Sequence, residues 1–278
     1  MDLQAEIADV VARALAEDVG PGDVTAAATV PARTRAVATI TQKAPGVVYG
    51  LEAATATFRA CDPDVVLEPL VPEGLWRQHG PVLQITGNAR ALLAAERTAL
   101  NLLQQLSGVA TLTARHVEQV RGTEARILDT RKTVPGLRLL QKAAVVAGGG
   151  ANHRIGLFDA VLIKENHIAM AGGVIPAVRA AQAGAPGLLI EVECEREDQV
   201  REAIEAGAHR LLLDNMTPAR LGAIVRAVGA RAELEASGGI SLATIREYAV
   251  TGVDFISVGA LTHSAPALDL SLLLEPLP

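Results

Sequence analysis

Aromatic side chains are scarce in this chain: three Phe, two Tyr and one Trp stand among 278 residues, about 2%. A surface that recognises nucleic acid by stacking bases on rings is therefore not expected. The hydrophobic half of the composition must be built mainly from Ala, Val, Leu and Ile, which suits helices packed on a parallel sheet. Cysteine is also rare. Cys61 and Cys194 are too few for a disulfide framework, and no CxxC or Cys/His cluster suggests zinc; cytoplasmic residence is the expectation. No uninterrupted apolar run approaches the ~18 residues of a spanning helix. The opening MDLQAEIADVVARALAEDVG carries acid where a signal peptide carries base, so no membrane association is expected. Positive charge is not in excess either, with 25 Lys and Arg against 31 Asp and Glu, a net charge of −6. That argues against general attraction to nucleic acid or anionic lipid, leaves room for a local basic pocket, and points to a small partner.

Such a pocket is written into residues 129 to 167, DTRKTVPGLRLLQKAAVVAGGGANHRIGLFDAVLIKENH. RILD (126 to 129) and AVLI (160 to 163) are short apolar runs bounded by charge and turn signals, and are predicted as buried strands. LRLLQKAAVVA (137 to 147), preceded by Pro135 and stopped by Gly148 to Gly150, is predicted as the helix between them. Strand, helix, strand is the unit of a parallel sheet. Arg131 and Lys132 fall just past the first strand, Lys164 just past the second, and His153 and Arg154 in the loop between. Any one of these could be an ordinary loop charge. Two planar guanidinium forks with two ammonium point charges suit a ligand carrying several anionic groups.

The second half repeats at roughly 20 to 24 residues, with strands at 188 to 193, 210 to 214, 232 to 237 and 254 to 259 and helices between them. With the two strands above, at least six βα units follow one another, and a parallel α/β barrel of TIM-like type, incomplete or closed, is predicted. Arg131, Lys164, Glu193, Asp214, Ser237 and Gly259 stand at or just past the C-terminal strand ends, where such barrels carry their sites. Glu193 and Asp214 end successive strands: they suit an acid and base pair, a magnesium site, or partners for nearby Lys and Arg, with magnesium preferred because its ligands are hard oxygens. Glu191 shares the face of Glu193, deeper in the barrel. SGG (Ser237, Gly238, Gly239) and VGALTH, with Val258, Gly259, Ala260 and His263, supply turns whose backbone can approach a phosphate.

Before the barrel, a leading helix (3 to 18), strands within 36 to 49, 64 to 70 and 81 to 87, and a helix at 51 to 60 predict a smaller N-terminal α+β sandwich domain, residues 1–108. The barrel domain is placed at 109–278, with a C-terminal tail returning to the first domain. Asp23 and Thr25 are expected as a turn and cap before a strand. Gly108 is expected to break the helical stretch 89 to 122 into two helices.

DTRKTVPGLR, GGGANHRIGL and LIKENH, in this order and spacing, resemble the signature of the quinolinate phosphoribosyltransferases. Ala143 and Val146 depart from it, where the family often has an aromatic and a basic residue. The resemblance spans essentially the whole chain. It implies transfer of phosphoribosyl from phosphoribosyl pyrophosphate to quinolinate with decarboxylation, giving nicotinate mononucleotide, pyrophosphate and CO2, a step of NAD biosynthesis. It also implies Mg2+ bound with the donor, no organic cofactor, and a homodimer with shared sites, to which Arg97 reaches from the other subunit. Thr130, Arg131, His153, Arg154 and Arg97 would then bind the dicarboxylate. Lys132 and Lys164 would neutralise pyrophosphate, Glu193 and Asp214 would orient ribose and metal, and the two Gly-rich turns would take the 5′-phosphate. A related transferase acting on another heterocycle, a Lys164 Schiff-base aldolase or decarboxylase, and a noncatalytic phosphate-ligand binder are the alternatives.

Overall fold

The computed structural model describes residues 2–278. In chain order it contains α1 (Leu3–Asp18), α2 (Val24–Thr29), β1 (Arg35–Gln42), β2 (Gly46–Val47), α3 (Leu51–Cys61), β3 (Val66–Pro69), β4 (Trp76–Arg77), β5 (Gly80–Asn88) and α4 (Ala89–Val120). There follow β6 (Arg126–Leu128), α5 (Arg138–Ala147), β7 (Val161–Ile163), α6 (Glu165–Ala171), α7 (Val174–Gly184), β8 (Ile190–Cys194), α8 (Glu197–Glu205), β9 (Arg210–Asp214) and α9 (Pro218–Val228). The last elements are β10 (Glu233–Ser237), α10 (Ile245–Ala249), β11 (Phe255–Ser257), α11 (Ala260–His263) and β12 (Leu270–Pro276). The chain divides into two compact units. One comprises the chain up to Ala114 with Thr133–Gly149 and Leu261–Pro278, and the other Arg115–Lys132 with Gly150–Ala260.

The first unit is built on an antiparallel sheet in the order β12-β1-β5-β3. Strand β1 alternates strictly, burying Ala36, Ala38, Ile40 and Gln42, because successive side chains of a strand point to opposite faces. That apolar face forms one cluster with Phe58 of α3 and Leu92, Ala99 and Leu103 of α4. Two expectations are corrected here. Asp23 does cap, accepting from the N–H groups of Thr25 and Ala26 at 2.9 Å, but the element it opens is the helix α2, not a strand. Nor does Gly108 break a helix: α4 runs unbroken for 32 residues. A Cβ at Gly108 would lie 2.1 Å from the carbonyl oxygen of Pro266, so the glycine is there to admit a crossing backbone.

The second unit is a six-stranded sheet in the order β6-β11-β10-β9-β8-β7, with neighbouring strands parallel. The first strand in sequence lies beside the last, as barrel closure requires. Between β6 and β7 the ring is not closed by a ladder. Ala151 lies against β6 instead, donating to Ile127 O at 2.8 Å and accepting from Asp129 N at 3.2 Å, so of the two barrel forms expected the incomplete one is found. Because the strands are parallel, their C-terminal ends share one rim. The register sets Asp214 beside Ser237 and Glu193 beside Leu212. A short helix not foreseen in the sequence, α6, starts directly after Lys164.

Candidate active site

The rim of the second unit holds a cavity of about 410 Å3. Strand ends supply Lys164, Glu193, Asp214 and Ser237, and the loops supply Thr130, Arg131, Lys132, His153 and Arg154. Leu162, Leu212, Glu235 and Ser257 complete the lining from residues one step down their strands, as a two-residue side-chain period dictates. A groove of about 840 Å3 lies in the first unit, but its polar groups already serve the fold. Asp23 caps α2, and Arg90 donates to the carbonyls of Val30 and Ala27 at 2.7 and 3.1 Å. The smaller cavity is the candidate site.

The cationic loops are held from below. Buried Asp129 accepts the backbone N–H of His153 at 2.9 Å, and the Thr130 hydroxyl accepts from Lys132 N at 3.0 Å. After Arg154 the chain turns on Asp159, whose two oxygens accept from Ile155 N (2.7 Å) and Gly156 N (2.9 Å). Burial lowers the pKa of the Arg154 guanidinium, and the neighbouring charge of Arg131 lowers it further. Two guanidiniums close enough to feel each other's charge favour an anion beside them.

His153 sits on a buried carboxylate pair. Its Nδ1 accepts from Arg154 N at 2.8 Å, which leaves the proton on Nε2, 2.8 Å from Glu191 Oε2 and 3.6 Å from Glu235 Oε2. Burial, with the charge of Glu191 second, pushes Glu235 up to about 8. Burial pushes Glu191 up to about 7 against the opposing charge of Arg210. These three residues offer ligand atoms within 4.8 Å of one another. An imidazole with its proton on Nε2 has no lone pair there to give a cation, and a proton shared within the carboxylate pair accounts for the contact.

The rim carboxylates differ from that pair. Glu193 Oε2 accepts from the ammonium of Lys164 in an ion pair. Burial raises the pKa of Glu193, the Lys164 pair opposes this, and the charge of Asp214 adds to the rise. Asp214 Oδ2 accepts from the side-chain amide of Asn215 at 2.5 Å. Gly238 and Gly239 follow β10 with φ of 99° and 59°. Val258 donates its N–H to Leu128 O at 2.9 Å, Gly259 follows it, and Ala260 begins α11. These five turn residues lie beyond the strand ends, outside the cavity lining. Arg97, exposed on α4, and His263, whose Nδ1 is 2.6 Å from the Ser264 hydroxyl, belong to the first unit. Sequence reasoning did not single out Glu235 or Asn215. The face shared by positions 235 and 237 of one strand could have shown the first, as it did for Glu191; no signal in the sequence marks the second.

Two family models match nearly the whole chain: the N-terminal domain of quinolinate phosphoribosyl transferase over residues 23–107 and its C-terminal domain over residues 109–273. The chain is similar to the carboxylating nicotinate-nucleotide pyrophosphorylase of Mycobacterium leprae, 46% identical over 272 residues and 95% of each chain. It is also similar to a probable enzyme of the same name from Bacillus subtilis, 42% identical over 92% of this chain and 89% of the relative. The solved nicotinate-nucleotide pyrophosphorylase of Francisella tularensis superposes with a TM-score of 0.96 at 38% identity, covering 99% of this chain and 98% of that one. The chain belongs to the quinolinate phosphoribosyltransferase family.

Proposed function

We propose that the protein transfers the phosphoribosyl group of phosphoribosyl pyrophosphate to quinolinate with loss of CO2, yielding nicotinate mononucleotide and pyrophosphate. The observation that carries this reading is one cavity lined by Arg131, Lys132, Arg154 and Lys164 together with Glu193 and Asp214. Quinolinate brings two carboxylates and the donor a phosphate and a pyrophosphate, and the forks and ammonium groups match that inventory. Arg131 and Arg154, with Thr130 beside them, hold the dicarboxylate, and His153 lines the cavity next to them. Lys132 and Lys164 neutralise the leaving pyrophosphate. Ser237, Gly238 and Gly239, with Val258, Gly259 and Ala260, take the 5′-phosphate.

Glu193 and Asp214 orient the ribose and would hold Mg2+. Both are carboxylates lining the same cavity, and hard oxygen ligands suit that ion, so the residues present fit it. The ion would supply charge neutralisation for the donor's pyrophosphate. The pyridine nitrogen attacks the anomeric carbon as the bond to pyrophosphate breaks. The resulting pyridinium accepts the electron pair left when the 2-carboxylate departs as CO2, and a proton then replaces it at C2. Orientation and preorganised charge are the protein's contribution. The Lys164 amine is engaged by the carboxylate of Glu193 rather than standing free as a nucleophile, which favours this reading over a Schiff-base role. A homodimer in which Arg97 completes the partner's site, residence in the cytoplasm, and a division into domains at 1–108 and 109–278 belong to the same proposal.

The test is pyrophosphate release with quinolinate against nicotinate. A strong preference for quinolinate is expected, since the cationic groups exceed what one carboxylate needs; comparable kcat/KM for the two acids would sink the reading.

A further inference from the structure

Asn215 combines three features that have no place in the account so far. Among the described residues it alone has a positive φ without being glycine, at 54°. That conformation is costly for most side chains and least so for Asn. Its backbone N–H donates to Ser237 O at 2.9 Å, one step past the last β9–β10 register pair of Asp214 with Ser237. Its side-chain Nδ2 donates to Asp214 Oδ2 at 2.5 Å. The next turn closes over this amide. A Cβ on Gly238 would fall 2.2 Å from Asn215 Oδ1 and 2.7 Å from its backbone nitrogen, and Gly238 itself has a φ of 99°. Asn215 is exposed, so burial does not explain the strained backbone.

We propose that Asn215 is a positioning residue for the phosphoribosyl donor, its amide fixing the carboxylate of Asp214 and its left-handed backbone tying that strand end to the Ser237–Gly238 turn. The inference rests on the reading that Asp214 and the turn bind the donor. With Oδ2 held by the amide, the carboxylate cannot swing about its own bond, and its other oxygen is presented in one direction. The turn that would take the 5′-phosphate is packed against the same amide, so ribose and phosphate contacts are set relative to each other by one side chain. A residue needed only to end β9 would use its backbone alone, and glycine would serve as well.

Replacement by glycine therefore separates the two roles, because Asn215→Gly keeps the left-handed backbone and removes the amide. Losing a charge-assisted hydrogen bond that orients a ligand group predicts a rise of about tenfold or more in KM for phosphoribosyl pyrophosphate. The KM for quinolinate should stay within about twofold, and the melting temperature should be close to that of the parent. Asn215→Asp, which tolerates the same backbone but replaces the donor with a second negative acceptor, should raise the donor KM further; it provides the readout if the glycine variant folds poorly. Asp214→Asn is measured alongside. If it raises the donor KM while both Asn215 variants leave it within about twofold, the positioning role is wrong and the donor reading stands. If Asp214→Asn also leaves donor KM unchanged, the donor reading fails and takes this inference with it. A rise in donor KM shared equally by quinolinate would likewise overturn the proposal, since it would report a general loss of structure.

Discussion

Lys164 and Glu193 form an ion pair across the β7–β8 seam, joining the rim positions of two adjacent parallel strands. Glu193 is largely buried there, while the Lys164 side chain is 43% exposed, so the more accessible ammonium and the less accessible carboxylate line one cavity wall. Removing either partner leaves the other in a partly desolvated place. Lys164→Met is expected to lower kcat/KM by about 30-fold to several thousand-fold, about 2 to 5 kcal/mol of transition-state stabilisation. Combined with Glu193→Gln it should cost less than the two single changes added, by about 1 kcal/mol or more. Strict additivity in this double-mutant cycle would mean that the pair is not coupled in function.

Glu235 predicts how stability responds to pH. Its carboxyl is raised from an ordinary value of 4.5 to about 8 in the folded chain, so between those values the native state holds a proton that the unfolded state has released. Stability contributed by this group is fully present below about pH 4.5 and is lost as pH rises towards 8. Melting temperatures measured from pH 5 to 8 should fall with pH, and Glu235→Gln should flatten the decline by up to about 1.4 kcal/mol per pH unit. Parallel curves for parent and variant would remove the proton from the buried pair.

Gly108 offers a test confined to the first unit. The Cβ of Gly108→Ala would enter the space of the Pro266 carbonyl oxygen, although alanine is the better helix former by about 1 kcal/mol. The clash is expected to win, lowering stability by about 1 to 3 kcal/mol in denaturant unfolding. A stabilised variant would show that the crossing segment yields.

Shared sites predict complementation. An inactive Arg97→Ala chain mixed with an inactive Lys132→Ala chain, under conditions of subunit exchange, should recover up to roughly a quarter of normal activity, since one site of each heterodimer then has both residues. No recovery after demonstrated exchange would confine Arg97 to its own chain or leave it without a role.

Much of the second unit was legible because parallel strands buried on both faces read as short apolar runs, and because those runs end in charge at one rim. Lys164, Glu193, Asp214 and Ser237 were placed in that way, and they line one cavity. What escaped were relationships made by contact between distant segments. Gly108 reads as a helix breaker until Pro266 is seen against it. Glu235 reads as one acid in AELEAS until His153 and Glu191 lie on it. Asn215 carries no signal at all until its amide is found on Asp214. Local periodicity carries the first kind of information; the second exists only in the folded chain.

Strand β12 closes one edge of β1, with Pro276 opposite Ala36 and Leu270 opposite Gln42. A ribosome adding ~5 to 20 residues per second delivers β12 on the order of ten to fifty seconds after β1. Throughout that interval β1, paired with β5 on one side only, displays an open edge of the strand RAVATITQ to neighbouring nascent chains. Vulnerability to aggregation should therefore be concentrated during synthesis and shortly after release, and crowding of ribosomes on one message, more than heat applied to the finished molecule, is the condition under which it would be felt.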